Sequence, residues 1–147
     1  MQPLQQEDAQ RSTELHQEVQ HFYARQMLHL DNGHAVEWAA TFTEDGVFAA
    51  NAHPQPTQGR AQIESGAREA ARKLAEQGLQ RRHWLGMLQV DEDVDGHITA
   101  RSYALIIETP VNGQAALRLS CTCDDVLVRV DGRLQVLRRE VHRDDIR

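Results

Sequence analysis

Two residues far apart in this chain have the types needed for proton chemistry without a cofactor. Asp31 stands in Leu30-Asp31-Asn32-Gly33, where a first helix should run out. His83 stands in Arg82-His83-Trp84-Leu85-Gly86, at the opening of a long strand. A carboxylate bonded to one imidazole nitrogen fixes the ring's tautomer and raises its basicity, leaving the other nitrogen to move a substrate proton. General acid–base help of this kind contributes typically about 10²–10⁴-fold in rate. The pair does this only if the fold brings a helix end against a sheet, so the elements around it decide the matter.

Leu15, Val19, Phe22, Tyr23, Met27 and Leu30 recur at three- and four-residue steps and predict a long amphipathic helix, which Asn32-Gly33 stops. Residues 1–10 lack that period and are expected to fray. A short second helix follows with Ala35, Trp38 and Ala39 on its apolar side, ending near Thr41. Glu44-Asp45-Gly46 predicts a turn, residues 47–50 a short strand, and His53-Pro54-Gln55-Pro56 a loop, because two prolines deny it a central-strand role. A third helix is expected over 60–78, with Ile63, Ala67, Ala70, Ala71 and Leu74 inward and Gly78 at its end. Four strands are predicted over 81–91, 97–109, 114–130 and 133–143. Their connections are Asp95-Gly96, Pro110-Val111-Asn112-Gly113 and Asp131-Gly132, strong hairpin signals. Helices on one face of such an antiparallel meander make an α+β fold, here a cone with a pocket inside. In the second of these strands Ile98, Ala100, Ser102, Ala104 and Ile106 form one side, and Tyr103, Leu105 and Ile107 part of the other. Helices cover only one face, so the second apolar face predicts a symmetric homodimer.

At 147 residues the chain fits one domain, 1–147. Its net charge of −6 argues against nucleic acid or an anionic membrane as the main partner. No apolar run approaches the roughly 20 residues of a membrane span. The polar, acidic start carries no signal-peptide pattern, and Cys121 and Cys123, two apart on one strand, are badly placed to bond each other. Both features predict a cytoplasmic protein with free thiols. Asp91-Glu92-Asp93-Val94-Asp95-Gly96 copies the start of a calcium loop, but its twelfth position is Ser102 rather than Glu, so it reads as an acidic hairpin turn. His16, His21, His29, His34, His53, His97 and His142 are scattered without ligand spacing, and no metal is expected. No nucleotide motif is present either, so no cofactor is expected. Tyr23 and Tyr103 are candidate donors to a ketone oxygen. Trp38, Phe42, Phe48 and Trp84 are core or pocket-wall residues, and Met27 and Met87 suit an adaptable pocket. In Arg81-Arg82 and Arg138-Arg139, strand alternation sends one member of each pair outward.

The order of elements, with Trp38-Ala39-Ala40-Thr41-Phe42-Thr43-Glu44-Asp45-Gly46-Val47-Phe48 at its centre, resembles the nuclear transport factor 2-like superfamily, and within it the SnoaL-like branch of polyketide cyclases and dehydratases. The likeness covers roughly residues 12–145. Its other carriers are the strand start at His83 and the closing strand Asp131-Gly132-Arg133-Leu134 to Arg138-Arg139. The texture is also similar to small accessory proteins of actinorhodin-type aromatic polyketide pathways. Scytalone dehydratases share the fold, and their pocket aspartate and histidine match Asp31 and His83. Their second pocket histidine falls at Ser102 or Tyr103, and the next polar positions fall near Cys121 and Cys123. The resemblance implies a cofactor-free dehydratase or cyclase acting on an aromatic polyketide. His83 would be its acid or base, Asp31 would orient it, and Tyr23, Trp38, Phe48, Trp84, Ser102, Tyr103, Cys121 and Cys123 would contact substrate. The alternative is a non-catalytic protein that protects a polyketide or presents it to a flavin-dependent oxygenase. A third reading is a structural subunit like the small subunit of ring-hydroxylating dioxygenases.

Overall fold

A computed structural model describes residues 3–147, and the α+β architecture is the one expected. The described residues form helices α1 (Pro3–Asp31), α2 (Ala35–Ala39) and α3 (Arg60–Gln77). The strands are β1 (Phe42–Ala50), β2 (Thr57–Gln58), β3 (Leu79–Glu92), β4 (Ile98–Pro110), β5 (Ala116–Val130) and β6 (Arg133–Arg143). One six-stranded sheet runs β2-β1-β6-β5-β4-β3, antiparallel throughout except that β1 lies parallel to β6. Among the described residues no helix is long and apolar enough to cross a membrane.

Several local expectations change. The helix starts at Pro3 rather than after residue 10, although residues 3–14 are all exposed; residues 1–2 lie outside the described part. Glu44-Asp45-Gly46 is an irregular stretch inside β1, where the register to β6 shifts between Phe42 and Val47. The chain passes so close there that a Cβ on Gly46 would sit 3.0 Å from the Thr43 carbonyl oxygen. Ala70 of α3 is exposed, and Ile63 is that helix's one buried residue. The Pro54–Pro56 loop leads into β2, a two-residue edge strand that the sequence pattern does not announce.

Along β4 the alternation holds: Ile98, Ala100, Ser102 and Ala104 are buried under the helices, while Tyr103 is 56% exposed. The core is built there from Val19 and Tyr23 of α1, Trp38 of α2, Phe42 of β1, and Ile98, Leu127 and Val136 of the sheet. The outer face divides in two. Toward Pro110 it is apolar, with Trp84, Tyr103 and Leu117 exposed; toward Ile98 it is charged, with Arg101 bound to Asp124 and Arg138 to Glu140.

Inside the core lies a polar cluster. Arg139 on β6, 3% exposed, donates through Nε and Nη2 to the two carboxylate oxygens of Asp125 on β5, both at 2.9 Å. Tyr23 donates its hydroxyl to Asp125 at 2.5 Å. Arg139 also donates to the Gln26 carbonyl at 2.7 Å, and Gln26 donates onward to Thr41. Its guanidinium lies over the Tyr23 and Phe42 rings, at 5.6 and 5.5 Å from their centroids. Burial works to lower the Arg139 pKa, but the Asp125 charge opposes it and the net shift is upward. Removing one partner of such a pair strands the other charge in the core. Asp125→Ala is therefore expected to lose about 3–5 kcal/mol of unfolding free energy. Glu18→Ala, which breaks the half-exposed Glu18–Arg129 pair, is expected to lose only about 0–1 kcal/mol. Urea denaturation of the two variants checks the difference.

Candidate active site

Helix α1 ends because Gly33 takes a left-handed turn (φ 75°), and the backbone N–H groups of Asn32 and Gly33 bond back to Leu28 and Leu30. That places Asp31 against the opening of β3. Within residues 79–85 the odd-numbered side chains of β3 face the helices, so His83 points inward toward it. One carboxylate then holds His83 twice. Asp31 Oδ2 accepts the His83 backbone N–H at 3.0 Å, and Oδ1 accepts from Nδ1 at 2.6 Å. The Asp31 and His83 side chains are 5% and 18% exposed. Because a carboxylate only accepts, Nδ1 is the donor, and in the neutral ring Nε2 keeps its lone pair for a ligand.

The pair stands at one end of a groove of about 860 Å³ between α1 and β3. Tyr23, Met27 and Leu28 of the helix and Leu85, Met87 and Leu88 of the strand form its mostly apolar walls. At the far end His16 donates from Nε2 to the Leu88 carbonyl oxygen, 3.2 Å away.

The remaining expected contact residues fall into three groups. Tyr23 and Trp84 line the groove, but the Tyr23 hydroxyl is committed to Asp125, and burial followed by the Asp125 charge raises its pKa well above the ordinary value. Trp84, 66% exposed, is a rim residue rather than an inner wall. Ser102, Cys121 and Cys123 are on the inward face but buried beneath the groove; the Ser102 hydroxyl has no partner among the described residues. Trp38, Phe48 and Tyr103 do not reach the groove. Trp38 packs on Phe42 and Phe48 in the core, and Tyr103 points out of the opposite face because it alternates with buried Ser102. Sequence reasoning missed Asp125, Arg139 and Gln26, although alternation along the closing strand already required one of Arg138 and Arg139 to point inward. Among the described residues no group of three or more His, Cys, Asp or Glu side chains comes together as a metal site.

A profile of the SnoaL-like domain matches residues 11–140. The chain belongs to the SnoaL-like family. Its fold is that of the nuclear transport factor 2-like superfamily. Among solved structures this SnoaL-like chain is similar to Aln2 from a Streptomyces species, at 38% identity over 90% of this chain and 92% of that one, with a TM-score of 0.83. It is similar to ActVI-ORFA from Streptomyces coelicolor, at 36% identity over 92% and 98% of the two chains, with a TM-score of 0.84. A protein from Catenulispora acidiphila solved in complex with S-DNPA is 41% identical over 90% and 96%, with a TM-score of 0.79. No curated protein matches the sequence.

Burial favours the protonated form of both thiols on the inward face. Burial pushes Cys123 up to about 12, and burial with the nearby Asp144 charge raises Cys121. Iodoacetamide at pH 8 should therefore label neither thiol in the native protein and both in denaturant, as read by mass spectrometry.

Proposed function

We propose that this SnoaL-like protein is a cofactor-free dehydratase or cyclase acting on an aromatic polyketide intermediate in antibiotic biosynthesis. The observation that carries the reading is the Asp31–His83 pair, an imidazole locked in one tautomer at the end of an apolar groove. The family and the likeness to Aln2 and ActVI-ORFA support a polyketide-related role. For a β-hydroxy ketone, His83 Nε2 takes the α-proton and the C–H electron pair forms the enolate. The enolate then collapses to the α,β-double bond and expels the β-hydroxyl, which leaves as water with the proton returned from His83. Asp31 stabilises the imidazolium between the two steps. The same proton abstraction, followed by attack of the enolate carbon on a second carbonyl, closes a ring; the carbonyl π pair moves onto its oxygen, and that alkoxide takes the proton back from His83. Atoms and charge balance in both cases without redox chemistry.

A second reading is a binding protein that shelters the polyketide or presents it to a flavin-dependent oxygenase. It is favoured by the absence of a free tyrosine donor at the groove, since Tyr23 is occupied and Tyr103 faces away. Turnover assays separate the two. On a β-hydroxy ketone polyketide, with water loss followed by mass spectrometry, His83→Ala should lose about 10²–10⁴-fold in kcat while ligand affinity falls much less. Asp31→Asn, which cannot stabilise an imidazolium, should also slow turnover. Equal conversion by both variants and wild type at saturating substrate would leave only the binding role. S-DNPA, the compound found in the Catenulispora acidiphila relative, is the first ligand to titrate against Trp84 fluorescence.

We further propose that a second copy covers the apolar half of the outer sheet face, where Trp84, Tyr103 and Leu117 are 56–66% exposed. Light scattering at micromolar concentration should give twice the 16.7 kDa chain mass, and Leu117→Glu should return it to the single mass.

A further inference from the structure

The reaction proposed for the groove needs a donor to the developing enolate oxygen, and neither tyrosine supplies it. The free edge of β3 carries backbone N–H groups that β4 does not use. β3 is the last strand of the sheet, so every second residue turns its backbone N–H and C=O away from β4. Three side-chain contacts mark which residues these are. The His83 N–H goes to Asp31, the Arg81 carbonyl accepts from Gln80, and the Leu88 carbonyl accepts from His16. By the same alternation the Leu85 N–H and C=O face this edge. No side chain among the described residues takes them, and Leu85 lines the groove.

The edge is thus closed at both ends and open in the middle. Asp31 seals it at His83, His16 seals it at Leu88, and α1 stands off between them. Just past Leu85 the ladder itself breaks: the β3–β4 register shifts between Gly86 and Gln89, and Met87 takes a positive φ of 52° with its side chain exposed at the groove. A non-glycine residue there is strained, and bulges of this kind commonly re-aim backbone beside a site. Leu85 and His83 are two residues apart, about 7 Å along the strand. A ketone oxygen on the Leu85 N–H therefore leaves its α-carbon within the span that the imidazole reaches.

We propose that the Leu85 backbone N–H is the groove's carbonyl-recognition donor: it binds a ketone or quinone oxygen of the ligand and holds the enolate charge formed when His83 takes the adjacent proton. This rests on the reading of the groove as a polyketide site, and it makes the ligand class specific: a flat apolar body with a carbonyl one bond from the carbon that loses its proton.

The test removes the N–H without removing the strand. Replacing residue 85 by the α-hydroxy analogue of leucine keeps the side chain and exchanges N–H for an ester oxygen. Leu85→Pro removes the same donor while keeping the Trp84 amide carbonyl; proline is tolerated on an edge strand when its N–H lies outside the ladder. Leu85→Ala keeps the donor and trims the side chain. The probe is 1-tetralone labelled with ¹³C at its carbonyl, read by infrared spectroscopy, alongside kcat on the polyketide substrate. The ester and proline variants should show the carbonyl band of the bound ketone moved to higher frequency, affinity down about 2- to 10-fold, and kcat down about 10²–10³-fold. Leu85→Ala should keep the wild-type band. If 1-tetralone binds wild type and the ester variant with the same band, the Leu85 assignment is overturned and the groove reading stands. If neither 1-tetralone nor S-DNPA binds wild type in the groove, both fall together.

Discussion

The buried pair between Arg139 and Asp125 is the constraint on which the rest of the site depends. A guanidinium and a carboxylate taken out of water are tolerated only when each lone pair and each donor finds a partner. Here the cluster draws on three elements and a turn: Asp125 on β5, Arg139 on β6, Tyr23 and Gln26 on α1, and Thr41 in the turn before β1. Satisfying the charges therefore fixes where the long first helix crosses the sheet. Tyr23 and Gln26 are held about two turns and one turn before Asp31, so the helix end meets His83 in one register and not in a sliding contact. The same arrangement commits the Tyr23 hydroxyl to the Asp125 carboxylate.

The groove exists because the sheet ends at β3. A further strand beyond it would consume the backbone groups that Asp31 and His16 now cap and would fill the space beside α1. Unpaired edges are ordinarily a liability, blunted by charge or by a covering helix. Here α1 covers the edge incompletely, and the gap coincides with the bulge after Gly86. Edge protection and the groove are two consequences of one packing geometry.

The opposite face of the same strands has a different character along its length. Near Ile98 Arg101 pairs with Asp124 across β4 and β5 and Arg138 with Glu140 along β6, and apolar side chains stay exposed near Pro110. Ion pairs within the chain need no partner, whereas a row containing Trp84, Tyr103 and Leu117 leaves apolar area in water. Trp84 and Tyr103 sit on β3 and β4 back to back with His83 and Ser102, so the outer apolar row and the imidazole share the same strands.

What the sequence determined by itself was periodic or local. The 3.6-residue period of Leu15 to Leu30, the Asn32-Gly33 stop and the Asp-Gly and Asn-Gly hairpins were enough for the helix, its end and the four long strands, because each depends on neighbours within a few residues. Asp31 and His83 were legible as a pair through the resemblance and the positions of those ends. The tertiary structure decided what depends on a break in period. A bulge at Leu137, where Val126 pairs with Arg138 and Leu127 with Val136, shifts the inward face of β6 from Leu134 and Val136 to Arg139. The bulge after Gly86 similarly moves the inward face of β3 from His83 and Leu85 to Leu88. One extra residue inverts every later side chain, and its cost or gain is set by the strand across the ladder, which no local window contains. For that reason the buried Arg139 and the open edge at Leu85 belong to the fold, while the outward Tyr103, set by regular alternation along β4, and the helix end that carries Asp31 belong to the sequence.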